Sequence, residues 1–311
     1  MPVLKFLTLF ILAAGGAAPG VAGERPLTLT GPYLGQKPPG LVAEKFAPGL
    51  VSSSAFEHSR LEISQDGNEF FWIVQPERGR QQIWTTRRNA GGAWSRPAPL
   101  QIANGVEALP FLSSPALSAD GRALYFYSCD LDPWRVTLYA VDLRQPRWDS
   151  PVPVRPWFPE IDKVWVYSFA ANGNLYFDCG FKLFAMARSG AGYGPPARLS
   201  DEIDSHGPFT PFVASDESYI IFSGEGSRPA DGLDLYIAFR RADGGWSAPQ
   251  NLGPGVNTAM NERFPTVSPD GRYLFFLRNP PDGDADFFWV DSAVIARAKC
   301  RAHPPAGKPC P

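Results

Sequence analysis

Short apolar, aromatic-rich runs alternate with polar turns along this chain, and the alternation repeats. Five segments carry it: Ile63-Ser-Gln-Asp-Gly67, Leu117-Ser-Ala-Asp-Gly121, Phe169-Ala-Ala-Asn-Gly173, Val213-Ala-Ser-Asp-Glu217 and Val267-Ser-Pro-Asp-Gly271. Their Asp or Asn positions, 66, 120, 172, 216 and 270, lie 54, 52, 44 and 54 residues apart. Each is followed by an apolar run, such as Phe70-Phe-Trp-Ile73, Leu124-Tyr-Phe-Tyr127 and Tyr273-Leu-Phe-Phe276. A period of this length marks stacked or radially arranged units. The runs are apolar on both faces, which suits sheets sandwiched between other sheets.

One unit predicts four strands: residues 210–213, 219–222, 235–238 and 246–252, with a turn at 215–217. In Ser268-Pro-Asp-Gly271, Pro269 presets a type I turn and Gly271 suits the left-handed residue that closes a bulged hairpin. Glu217 fills that glycine slot in the fourth unit, where a left-handed conformation costs about 1 kcal/mol unless the turn differs. A second signature marks the outer strands: Trp94-Ser-Arg-Pro97, Trp148-Asp-Ser-Pro151, Tyr193-Gly-Pro-Pro196 and Trp246-Ser-Ala-Pro249. Proline is tolerated there because an edge strand need not donate every hydrogen bond. The fifth unit lacks such a strand, and Phe46-Ala-Pro-Gly-Leu50 matches Leu252-Gly-Pro-Gly-Val256, which follows the fourth outer strand. The segment 40–46 is therefore expected to complete the last unit. The expected fold is all-β: a five-bladed β-propeller closed by the N-terminal strand, with a six-bladed ring as the alternative.

These residues resemble the WD40-like (PD40) repeat of TolB-type propellers found in exported bacterial proteins. The matching features are Phe264-Pro-Thr-Val-Ser-Pro-Asp-Gly-Arg-Tyr-Leu-Phe-Phe276, Asp234-Leu-Tyr-Ile237 and Trp246-Ser-Ala-Pro-Gln-Asn-Leu252, and the resemblance covers residues 40 to 298. It implies the propeller and is nearly silent on activity. The third unit departs most: Tyr167 takes the proline slot and the loop before Lys182 is short.

The ends and composition add a compartment. Residues Leu4 to Ala14 are almost wholly apolar behind Lys5, and Gly20-Val-Ala22 offers a cleavage site, so residues 1–22 read as a secretory signal peptide. The expected organisation is then an N-terminal extension at 23–39, the propeller at 40–298 and a C-terminal tail at 299–311. The protein is expected to be exported, periplasmic or secreted, monomeric and without a membrane span. A formal net charge of -2 gives no reason to expect nucleic acid as a partner. With 30 Gly and 33 Pro, the chain suits short strands and turns rather than helices. In an exported protein, Cys300 and Cys310 flanking a proline-rich tail read as a disulfide, and pairing of Cys129 with Cys179 is left open. With only three His and no CxxC, neither a metal nor a cofactor is expected.

No GxSxG, glycine-rich nucleotide loop or HExxH is present. The loops entering the first strands and those joining second to third strands form the default binding face. The candidate ligand-binding or partner-binding residues there are His58, Arg60, Asp162, Trp165, His206, Glu262 and Arg263. His58 and Glu262 share an offset of eight residues before Asp66 and Asp270, which places them together at the channel mouth. Arg60 and Arg263 suit a carboxylate by paired hydrogen bonds, or rim ion pairs with Glu57, Glu62 or Glu262. The leading expectation is a non-enzymatic binding or scaffold propeller that recognises an envelope protein or glycan. The alternative is a carbohydrate-active enzyme, a glycoside hydrolase or polysaccharide lyase, with carboxylates at the mouth.

Overall fold

The structure is a computed structural model, and it describes residues 29–53, 55–76, 80–102, 112–131, 134–144, 152–154, 164–190, 192–226, 232–279 and 284–302. The expected signal peptide, Asp162 and Cys310 lie outside the described residues.

A short strand, β1 (Glu44–Lys45), precedes the first complete unit. That unit is β2 (Phe56–Ile63), β3 (Glu69–Gln75), β4 (Gln82–Arg87) and β5 (Ala98–Pro99). The second is β6 (Leu112–Leu117), β7 (Ala123–Leu131), β8 (Trp134–Asp142) and β9 (Val152–Val154). The third is β10 (Val164–Phe169), β11 (Leu175–Cys179) and β12 (Leu183–Met186). A ribbon of β13 (Arg188–Ser189) and β14 (Gly192–Tyr193) follows, and then β15 (Ala197–Arg198). After helix α1 (Asp201–Asp204) come β16 (Phe209–Val213), β17 (Tyr219–Glu225), β18 (Leu233–Phe239) and β19 (Gln250–Asn251). The chain ends with β20 (Asn261–Val267), β21 (Tyr273–Asn279), β22 (Asp286–Asp291) and helix α2 (Ala293–Ala302). Among the described residues these strands form five antiparallel four-stranded sheets, a five-bladed propeller arrangement. In the fifth sheet β1 lies beside β22, with Glu44 opposite Trp289 and Lys45 opposite Phe288.

The expectation of a closed ring needs correction. No sheet is closed by hydrogen bonds: each ladder runs outward from its inner strand and stops at its outer one. The inner strands β2, β6, β10, β16 and β20 touch in turn, and β20 returns to β2. This contact is face-to-face packing, because ladder hydrogen bonds lie within the plane of a sheet; at the turns, Ala171 N of the third unit also donates to Ser215 O of the fourth at 2.8 Å. The disulfide expectation is corrected in part: no disulfide joins two of the described residues, whereas Cys300 is disulfide-bonded and its expected partner, Cys310, lies outside them. Cys179 is a thiol. It lies at the end of β11, one sheet away from Cys129 on β7.

Packing explains why the apolar runs do not alternate. In β3, Phe70 to Val74 are all buried, so both faces of the strand are covered. The richest junction joins the fifth and first sheets. Phe46 lies 5.0 Å from Phe275, 5.2 Å from Trp289 and 5.7 Å from Phe70, ring centre to ring centre.

The Asp-Gly turns form as their chemistry dictates. Gly67, Gly121, Gly173 and Gly271 have φ of 68°, 67°, 83° and 73°. Glu217 adopts the same left-handed region at 59°. Its strain is offset across the sheet junction, where its carboxylate accepts hydrogen bonds from Asn172, Asn174 and the Tyr176 hydroxyl at 2.9, 2.9 and 2.6 Å.

Phe46 is fully buried between two sheets, so Phe46→Ala is expected to cost about 3–5 kcal/mol. Thermal unfolding checks this, and a melting temperature within 2 °C of wild type would contradict the junction's importance.

Candidate functional site

Five inner strands converge on the axis, and each is bulged near its middle. In β6, Ser114 and Pro115 together oppose Phe126; in β16, Thr210 and Pro211 oppose Phe222; in β20, Phe264 and Pro265 oppose Phe276. A proline has no N–H for the ladder, so the bulge absorbs it. Tyr167 has an N–H and pairs normally with Phe177, which moves the β10 bulge one position along, to Trp165 and Val166 opposite Asp178. The β2 bulge is one residue longer than the others: Ser59, Arg60 and Leu61 oppose Trp72. Ser59, Ser114, Thr210 and Phe264 all take positive φ, between 49° and 75°.

A bulge releases amides from the ladder, and buried amides require acceptors. Side chains supply them, mostly from the preceding sheet. Ser59 Oγ accepts from Ser114 N at 2.8 Å, Asp178 from Val166 N and Thr210 N at 2.8 and 3.1 Å, and Thr210 Oγ1 from Phe264 N at 3.2 Å. One level lower, Glu62 accepts from Leu117 N at 3.0 Å and Ser168 Oγ from Val213 N at 3.1 Å. The inner strands are thus laced to one another by side chains.

Arg60 spans the hub. It is 2% exposed. Its Nη1 donates to Tyr167 O at 3.0 Å, and its Nη2 donates to Pro211 O. Those carbonyls belong to the third and fourth sheets, across the ring from the first. Burial disfavours the guanidinium charge and lowers its pKa, against the opposing pull of Glu62, Tyr167 and Asp178. Below it, toward the Asp-Gly turns, a cavity of about 150 Å³ is lined by residues of all five units, among them Arg60, Glu62, Ser168, Phe212 and Thr266.

The opposite, loop-rich mouth brings together some of the expected residues. His58 and Arg263 occupy the same register, each the last paired residue before its bulge, opposite Ile73 and Leu277. They belong to adjacent sheets, and the His58 ring centre is 5.5 Å from that of Phe264. Arg263 Nη2 donates to Asn279 Oδ1 at 2.7 Å. Burial, helped by Arg263, pushes the His58 imidazole down to about 4, so it is neutral at pH 7.

The sequence offset pairs His58 with Glu262, but the extra β2 residue shifts the register by one, so Glu57 is the counterpart of Glu262. Both carboxylates are fully buried and tie down the loop just before their strand. Glu57 Oε1 accepts from Ser53 N and Oγ at 2.9 and 2.6 Å. Glu262 accepts from Thr258 N and Oγ1 at 3.2 and 2.7 Å and pairs with Arg278 at 2.8 Å. Burial raises Glu262 and carries Glu57 up to about 7.

The remaining candidates are separated. His206 follows α1 in the loop before the fourth sheet, its Nδ1 3.2 Å from Glu202 O and its ring 4.6 Å from that of Tyr236. Trp165 lies on β10 within the bulge, and Asp162 is outside the described residues. Asp178 was missed by sequence reasoning. Its signal was the repeat itself: Asp178 stands in the slot that other units fill with Ile73, Tyr127, Ser223 and Leu277. Among the described residues, no group of three or more His, Cys, Asp or Glu side chains is placed to hold a metal ion.

The sequence matches no protein-family model. It matches no curated protein sequence. Its fold resembles solved propellers. A thermostable family-43 glycoside hydrolase superposes with a TM-score of 0.51 at 13% identity over 76% of this chain and 89% of that one. A putative TolB from Agrobacterium tumefaciens gives 0.48 at 16% identity over 77% and 78%. TolB from Acinetobacter baumannii gives 0.44 at 15% identity over 74% of this chain and 53% of that one.

Two substitutions test the electrostatics. A carboxyl with a raised folded pKa stabilises fully below its unfolded value, near 4.5, and that contribution is lost as pH rises to about 7. An imidazole with a depressed folded pKa stabilises above 6.5, and that contribution is lost as pH falls to about 4. Glu57→Gln is therefore expected to gain melting temperature relative to wild type from pH 5 to pH 8, and His58→Gln from pH 7 to pH 4. Parallel melting curves across pH would refute both assignments. Arg60→Met strands two buried carbonyls and is expected to cost about 3 kcal/mol in denaturant unfolding.

The loop-rich mouth with its buried floor thus forms part of a five-bladed β-propeller arrangement of sheets.

Proposed function

We propose that this protein is an exported, glycan-recognising propeller that takes its ligand at the loop-rich mouth around His58 and Arg263. The mouth's chemistry carries this reading. A neutral imidazole and a guanidinium stand side by side on a rigid floor. Together they offer hydrogen-bond donors and an acceptor suited to sugar hydroxyls. The buried carboxylates of the inner strands already serve backbone amides or hydroxyl groups, so recognition is favoured over cleavage. The likeness of fold to a glycoside hydrolase supports glycan as the ligand class. Among the described residues no helix is long and apolar enough to cross a membrane, and the apolar N-terminus supports export.

Hydrolysis is the second reading, favoured by Glu57. Its carboxyl is raised to about 7, and its Oε2 is buried without a hydrogen-bond partner among the described residues. A general acid needs this protonation near neutral pH.

The test is a glycan array with the mature chain, followed by calorimetry on the best ligand and an assay for new reducing ends. Binding is expected to fall about tenfold or more in Arg263→Ala and His58→Ala, with no product released. A silent array would end the recognition reading. Product formation abolished by Glu57→Gln would replace it with the hydrolytic one.

A further inference from the structure

The sheets do not meet alike. Between the third and fourth, the turn-side gap is filled. Trp246 is 4% exposed and packs edge-on against Tyr176, 6.2 Å away, with Arg240 over its ring at 4.9 Å. Glu217 closes the base of that gap through its bonds to Asn172, Asn174 and Tyr176. Between the second and third sheets, two of the three corresponding residues are smaller. Tyr125 holds the Tyr176 position, Tyr193 replaces the tryptophan, and Gly173 stands where Glu217 would reach across. What remains is a cleft of about 610 Å³ on the turn side, within the range of small-molecule sites.

Its lining combines aromatic rings with arginines. Tyr125, Phe169 and Tyr193 contribute rings, and Arg122, Arg144 and Arg188 contribute guanidinium groups. Arg144 is neutralised by a two-pronged pair with Asp142. Arg122 is only loosely held by Asp120, at 3.9 Å. Arg188 pairs with no carboxylate among the described residues, and its guanidinium sits 5.1 Å above the Tyr193 ring. Stacking on an aromatic face leaves the donor edge of a guanidinium open to a carboxylate.

We propose that this cleft binds a carboxylated saccharide, with the carboxylate on Arg188 and Arg122 and the sugar face against Tyr125 and Phe169. The site is separate from the loop-rich mouth, on the other side of the ring, and does not depend on recognition there.

The experiment uses trigalacturonate and neutral galactotriose as probes, titrated calorimetrically into the mature wild-type chain and three variants. Wild type is expected to prefer trigalacturonate by about tenfold or more, and to lose affinity as salt is raised. Arg188→Gln is expected to abolish the preference. Tyr193→Trp, which refills the gap as Trp246 does, is expected to block both probes here without lowering the melting temperature. Arg263→Ala removes the mouth's contribution to binding and is expected to retain the preference for trigalacturonate. Absence of trigalacturonate binding in wild type would overturn the proposal. So would equal affinity in wild type, Arg188→Gln and Tyr193→Trp. Loss in Arg263→Ala alone would assign the sugar to the mouth and overturn the cleft.

Discussion

A single guanidinium at the hub ties the sheets that packing alone would leave free to slide. Arg60 leaves the first sheet and ends on carbonyls of the third and fourth. A buried cation is costly unless hydrogen-bonded, so any displacement of those sheets that withdraws a carbonyl exposes the full cost. The sheets meet around it as stacked apolar faces, and apolar contact is not directional. Direction comes from the polar groups at the centre.

The bulges supply those groups. They free amides that the ladder would otherwise have used, and in β6, β10, β16 and β20 a side chain, mostly from the sheet before, claims one of them. The result is a hub in which backbone irregularity and circumferential hydrogen bonding are one device. It also explains why the mouth has a rigid floor: Thr210 and Asp178 are held at several atoms at once and Ser59 Oγ is bonded to the next sheet, so residues just above them, such as His58 and Arg263, project from fixed points.

The units, their turns and the unusual Glu217 were legible in the sequence because each depends on local chemistry, and local chemistry repeats. The outer-strand aromatics were legible for the same reason, and their recurrence makes the smaller Tyr193 informative. Bulge length was not legible. It depends on how many residues oppose one on a partner strand, and nothing in Ser59-Arg-Leu61 announces a third unpaired residue. That single residue separates Glu262 from His58 in register and puts Glu57 in its place. The fate of Arg60 was hidden too, since an arginine flanked by Glu57 and Glu62 reads as a rim ion pair until the carbonyls of distant Tyr167 and Pro211 are placed beside it. Ring closure was misread because sequence identifies a strand that completes a sheet, while whether sheets join by ladder or by packing depends on their orientation.

The longer β2 bulge has a meaning for symmetry. A ring of five identical units must present five copies of every residue to its axis, and five guanidinium groups in one hub would repel one another with too few carbonyls to share. An axial group can be supplied only once. The extra residue in β2 is where the repeat departs from equivalence, so that one unit is a keystone and the other four are voussoirs. Exchanging the first unit's inner strand for that of the fourth would make the chain more regular and leave its centre without the group that spans it.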